Sequence, residues 1–189
     1  MERALRRAFA ALVLSTQLAA AAPDQSTTQA CTEIKNALPG KVLTTGLLAA
    51  EYAYETQQYW STSQRSADPA CIVQPVNAAD VSAVVKILLK YPTVKMATRS
   101  GGHDPNLGHN SIEDGVLITM TDMVGATYDA AKGVAYVKPG GEWNDVITDL
   151  EASGVTMLGG RLGPYILLMS QPTSDVNLYQ ESLALEAFC

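Results

Sequence analysis

Three glycine pairs constrain this chain more than any other feature. Gly101-Gly102, Gly140-Gly141 and Gly159-Gly160 each directly follow a stretch that reads as a strand. Glycine lets the backbone take positive φ and approach a ligand closely, and consecutive N–H groups turned into one concavity form an anion nest suited to a pyrophosphate. Any single pair is more often a plain turn. Three of them after strands suggest a nucleotide. Neither GxGxxG nor a Walker lysine loop is present, so the two familiar phosphate-loop fingerprints do not apply.

The pattern around the pairs predicts a strand over Cys71–Gln74 closed by Pro75, then a helix capped by Asn77 with Val81, Val84, Val85, Leu88 and Leu89 at helical spacing. Pro92 ends that helix, and Val94–Thr98 reads as the next strand, completing a strand–helix–strand unit over 71–98. Further strands are expected at Val116–Met120 and Val155–Leu158, with a hairpin of Ala126–Tyr128 and Val134–Val137 turning at Ala130–Gly133. A helix is expected from Glu142 to about Ser153, stopped by Gly154. Pro23–Ala30 reads as a polar, poorly ordered leader and Ser61–Asp68 as a polar loop.

With 189 residues, 47% hydrophobic and 17% charged, the chain amounts to one folded domain at most and not a disordered or coiled-coil chain. Its net charge of -6, with no cluster of Lys and Arg after residue 7, argues against a nucleic-acid surface. Arg3, Arg6 and Arg7, the apolar run Ala8–Leu18 and the small residues Ala19–Ala22 form a secretory signal pattern over 1–22. A membrane anchor is the weaker alternative, because the apolar run falls short of the ~20 residues that span a bilayer. Without that segment 10 basic and 18 acidic residues remain of the original 13 and 19, so a secreted, acidic protein without a membrane partner is expected. In an oxidising compartment Cys31 and Cys71 are candidates for a disulfide, two buried thiols being the alternative, and Cys189 is left over. No Asn-X-Ser/Thr sequon occurs. No metal-ligating cluster is expected.

The run Arg99-Ser100-Gly101-Gly102-His103-Asp104 resembles the flavin-binding loop of the berberine-bridge-enzyme-like oxidoreductases, which carry a vanillyl-alcohol-oxidase (PCMH-type) FAD domain. Pro69–Pro75 is similar to that family's first strand, Asp114–Ile118 to the strand after the loop, and Pro139–Val146 and Gly159–Gly163 to its later FAD-contacting segments, with secreted fungal members the nearest in pattern. The resemblance implies an α+β fold, the incomplete N-terminal portion of such a domain, with FAD as cofactor. It implies that Arg99, Ser100, Gly101, Gly102, His103, Pro139, Gly140, Gly141, Gly159 and Gly160 line the cofactor, and that His103 is joined through its ring nitrogen to the flavin 8α-methyl. A lone histidine in a polar loop is more often a surface residue; the motif reverses that for His103, whereas His109 keeps the solvated reading. Arg161 is given no role, and Trp143 reads equally well as a buried helix-start aromatic.

The expected organisation is a signal over 1–22, a leader and helical segment over 23–66, a partial FAD domain over 67–163 and a divergent tail over 164–189. From Pro164 the family pattern stops, so the substrate domain with its catalytic base has no counterpart and no catalytic residue is assigned. In complete form such a protein would pass a hydride from an alcohol or C–H bond of a small-molecule substrate to flavin and then electrons to dioxygen. The alternative is a secreted, non-catalytic fragment or binding module.

Overall fold

The computed structural model describes residues 24–46 and 49–158. The expected signal segment, Gly159-Gly160, Arg161, the tail and Cys189 lie outside the described residues. Helix α1 (Gln25–Ala37) leads to β1 (Val42–Leu43), α2 (Ala49–Thr56) and a single turn α3 (Thr62–Arg65). Then follow β2 (Cys71–Val73), α4 (Ala78–Leu88), β3 (Met96–Arg99), β4 (Val116–Thr119), β5 (Ala126–Asp129), β6 (Val134–Val137) and α5 (Trp143–Glu151).

Four strands form one sheet in the order β1-β2-β4-β3, with β1 antiparallel to β2 and the other two pairings parallel. The strand–helix–strand unit expected over 71–98 is present, and β4 lies between its two strands. The Asn77 side chain caps α4 by accepting the Asp80 N–H at 2.9 Å. Side chains alternate across the sheet, so Cys71, Val73, Val116 and Ile118 pack with Ala30, Ile34, Val81 and Val84 on the face covered by α1 and α4. Leu43, Ile72, Ala97 and Leu117 face the other way, against Tyr52 of α2. Every residue of β2 and β4 is buried, as expected of central strands covered on both faces.

The segment expected to be a disordered leader is instead helical from Gln25. Thr27, Ala30, Cys31 and Ile34 recur at helical spacing and are buried, and that apolar stripe packs against α4. Cys31 is bonded to Cys71 with Cα atoms 6.0 Å apart, which ties the stripe to the first residue of β2. On α4 the inward positions include Ile87, while Val85 and Leu89 turn outward, Leu89 with 76% of its surface exposed. The helix ends at Leu88, ahead of Pro92, and β3 starts at Met96 rather than Val94.

The hairpin is found where expected, in register Ala126↔Val137 to Asp129↔Val134. It packs against Trp143, Val146 and Leu150 of α5, so Trp143 is a fully buried helix-start aromatic. A capping box of Glu142 and Asp145 starts α5, and Gly154 follows its end at φ 69. Val155–Leu158 is not a strand; no neighbour pairs with it among the described residues, and Val155 and Met157 pack onto the α5 cluster instead.

Candidate active site

The site assembles at the C-terminal ends of the parallel strands, where open α/β sheets commonly place ligands. Strand β3 ends at Arg99, whose carbonyl accepts the Met120 N–H at 2.8 Å and so locks the end of β4 beside it. The Met120 carbonyl accepts from Met123, and the Met123 carbonyl accepts from Gly140, both at 2.8 Å. This ladder carries the second glycine pair to the first. The Ser100 hydroxyl closes the gap by donating to the Pro139 carbonyl. Gly140 is required by this close approach: a Cβ there would fall onto the Met120 carbonyl oxygen.

Between the two loops lies a cleft of about 400 Å³, whose lining includes Arg99, Ser100, Gly101 and Gly140. Tyr54, Glu55 and Gln58 of the α2 region form one wall, and Thr121, Asp122 and Glu142 another. Gly102, Pro139 and Gly141 are chain neighbours of lining residues and His103 lies two residues beyond Gly101; none of the four lines the cleft itself. Gly102 has φ 68, supplying the left-handed residue that a backbone anion nest needs. Among the described residues, no hydrogen bond uses the N–H of Gly101 or Gly102.

Arg99 is not a free cation. Its side chain is 1% exposed and is paired with the Glu55 carboxylate, itself 7% exposed. One guanidinium nitrogen reaches that carboxylate and the other donates to the Glu55 carbonyl at 2.5 Å. The guanidinium also lies 5.0 Å from the centroid of the Tyr59 ring. Arg99 thus anchors α2 to the end of β3, and in the glycine loop the donors that no described acceptor uses are the Gly101 and Gly102 N–H groups.

The rest of the loop is held by side chains ahead of residue 66. Trp60 Nε1 donates to the His103 carbonyl at 3.0 Å. Gln64, fully buried, donates to the carbonyls of Asp104 and Asn106 at 2.9 and 3.0 Å and accepts from Ser111. Tyr59 donates its hydroxyl to the Asn110 carbonyl at 2.7 Å, and Asn110 Nδ2 donates to Asp104 at 3.1 Å. His103 is half-buried. His109 is exposed, with Nδ1 2.8 Å from Asp104 Oδ2. The Asn106 backbone N–H, then His109, hold the Asp104 carboxyl below its usual range. Glu55, Tyr59, Gln64 and Asn110 were not singled out from sequence. The local signal that could have found this support is the run of aromatics Tyr52, Tyr54, Tyr59 and Trp60 in the sequence.

The profile of the FAD binding domain family matches residues 69–163, half of the chain. The chain belongs to that family. An FAD-linked oxidoreductase of Arthroderma benhamiae, itself uncharacterized, is 39% identical over 115 residues, covering 61% of this chain and 23% of that protein. An FAD-dependent monooxygenase of Arthrobotrys oligospora is 37% identical over 120 residues, covering 63% and 23% respectively. This FAD-binding domain therefore spans about a quarter of the length of the curated relatives it matches. Among solved structures, BBE-like 1 of Physcomitrella patens superposes with a TM-score of 0.56 at 20% identity, over 70% of this chain and 28% of that one. The berberine bridge enzyme of Eschscholzia californica gives 0.54 at 17% identity, over 67% and 26%. These likenesses bear out the expected fold, and the chain is a partial FAD-binding domain of this type.

The residues present fit a dinucleotide. The cleft falls in the ~300–1,000 Å³ range of small-ligand sites, and the Gly101-Gly102 turn offers two N–H donors that no described acceptor uses. Asp122 and Glu142 also line the cleft and oppose an anion by charge, so a pyrophosphate depends on the backbone N–H donors of the glycine turn.

Proposed function

We propose that this chain is the cofactor-holding part of a secreted FAD-dependent oxidoreductase of the oxidase type, with the flavin joined to His103. One observation carries the reading: the Ser100–Gly102 and Pro139–Gly141 loops are cross-tied at one cleft, and glycine N–H donors there have no described acceptor. Bound FAD supplies a two-electron acceptor, which amino-acid side chains lack. Gly101 and Gly102 would hold its pyrophosphate through the backbone, and Pro139, Gly140 and Gly141 would close the opposite side. Arg99 contributes by fixing the strand end rather than by meeting phosphate. Trp60 holds the His103 backbone, so the imidazole is carried on a restrained turn. The Gly159-Gly160 pair would complete the lining. The small-molecule substrate, and dioxygen as final acceptor, would meet the flavin from residues that this chain does not assign, and no nucleic-acid or membrane partner is part of the reading. The segment 1–22 would direct export, and no helix among the described residues is long and apolar enough to cross a membrane.

The test is the intact mass of the purified, unreduced protein, followed by peptide mapping, for the wild type and for His103→Ala. A gain of one FAD on the peptide containing His103, absent in H103A, is expected. A bare polypeptide mass after incubation with excess FAD, with no flavin absorbance retained, would overturn the proposal.

A further inference from the structure

Among the groups that hold the 99–111 loop, Tyr59, 5% exposed, meets it at three places: Arg99, Gly102 and Asn110. Its ring lies beneath the Arg99 guanidinium, and its hydroxyl reaches the Asn110 carbonyl at 2.7 Å. A Cβ placed on Gly102 would sit 2.9 Å from Tyr59 Cδ1, so the ring lies against the backbone just before His103. Tyr59 therefore touches the loop at both ends, at Gly102 and at Asn110. Its own backbone is fixed, since Arg65 Nε donates to its carbonyl at 2.6 Å. Residue 59 lies ahead of the segment that the family profile matches. An aromatic that only filled the core would need no hydroxyl, yet this one is aimed at a loop carbonyl 51 residues away. Burial raises the phenol's pKa, keeping it a donor.

We propose that Tyr59 is a positioning residue that sets the conformation of the flavin-holding loop and thereby the place of His103. This rests on the reading of His103 given above. The ring blocks the volume into which the Gly102 turn would relax, and the hydroxyl pins the far end of the loop. Gly102 is then demanded twice, by its positive φ and by the ring beside it.

The experiment uses the full chain as wild type, Tyr59→Phe and Tyr59→Leu, with two readouts. Amide exchange without added flavin compares residues 100–111 with β2 and β4, and mass spectrometry gives covalent flavin per chain. In Y59L, exchange over 100–111 should rise roughly tenfold with β2 and β4 unchanged, and covalent flavin should fall in step. Y59F keeps the ring and loses one hydrogen bond, so about a fivefold rise confined to the Asn110 end is expected, with most of the flavin restored. Unchanged loop exchange in Y59L would overturn the proposal, as would a rise spread equally over β2 and β4. A looser loop that still takes up flavin at the wild-type level would also overturn it. A wild-type chain without a flavin adduct refutes the His103 reading instead, and then even a looser Y59L loop reduces Tyr59 to a clamp with nothing to position.

Discussion

Replacing Glu55 by Gln probes the buried pair under the cofactor loop. Gln keeps the shape, and the Arg99 bond to the Glu55 backbone carbonyl survives, so the change isolates the carboxylate charge. With side chains only 1% and 7% exposed, water cannot replace that charge. Removing one partner of a buried pair costs ~3–5 kcal/mol, and the retained carbonyl bond and the Tyr59 ring place this case at the lower end, about 3 kcal/mol. For a chain of this size each kcal/mol moves Tm by roughly 2–4 °C, so E55Q should melt roughly 6–12 °C below the wild type. The double variant E55M/R99M removes both charges and should recover at least about 2 kcal/mol relative to the sum of its single variants. The assay is chemical denaturation of the wild type, E55Q, E55M, R99M and E55M/R99M with the disulfide intact. An E55Q loss below about 1 kcal/mol, or a strictly additive double variant, would refute the claim that this pair is desolvated and coupled.

The Cys31–Cys71 bridge closes a loop across a separation of 40 residues, so Cys31→Ala with Cys71→Ala should lower stability by about 4 kcal/mol, read as a shift of the denaturation midpoint. Asp104 is held below its usual pKa first by the Asn106 backbone N–H and then by His109. Its contribution is therefore fully present above the unfolded carboxyl pKa of about 3.9 and is lost as pH falls through the lower folded value. Asp104→Asn should flatten the acid limb of the stability profile below about pH 4, and an unchanged limb would count against the assignment.

The elements that sequence made legible are those written in local chemistry. Asn77 three residues before Asp80, the valines of α4, the hairpin around Ala130–Gly133 and Gly154 after α5 each act within a few residues of themselves. The first two glycine pairs were also legible, and they do meet at one cleft. Helix α1 was not, because Ala30 and Ile34 gain their burial from α4 and the sheet, roughly forty residues and more further on. The same holds for the loop supports. Glu55 pairs with Arg99 across 44 residues and Gln64 reaches Asp104 across 40, and neither pairing leaves a periodic trace. Arg99 sits in a motif that suggests phosphate, and its inward turn follows from a carboxylate on a helix outside that motif.

The strand order carries a consequence for assembly. Strands β2 and β3 are joined through α4, yet they never pair with each other, because β4 occupies the place between them. The unit over 71–99 is a frame with an open slot, and its inner backbone groups have no ladder partner until residues 116–119 are inserted. As the chain leaves the ribosome, α1, β1 and β2 can collapse together early, with both cysteines already synthesised. The slot closes only after the glycine-rich loop has been made in full. Threading a central strand late is a non-local step of the kind that slows folding. The same insertion fixes Met120 at the end of β4, and its carbonyl starts the ladder through Met123 to Gly140, so the completed sheet is the ledge on which the second glycine turn docks and closes the cleft.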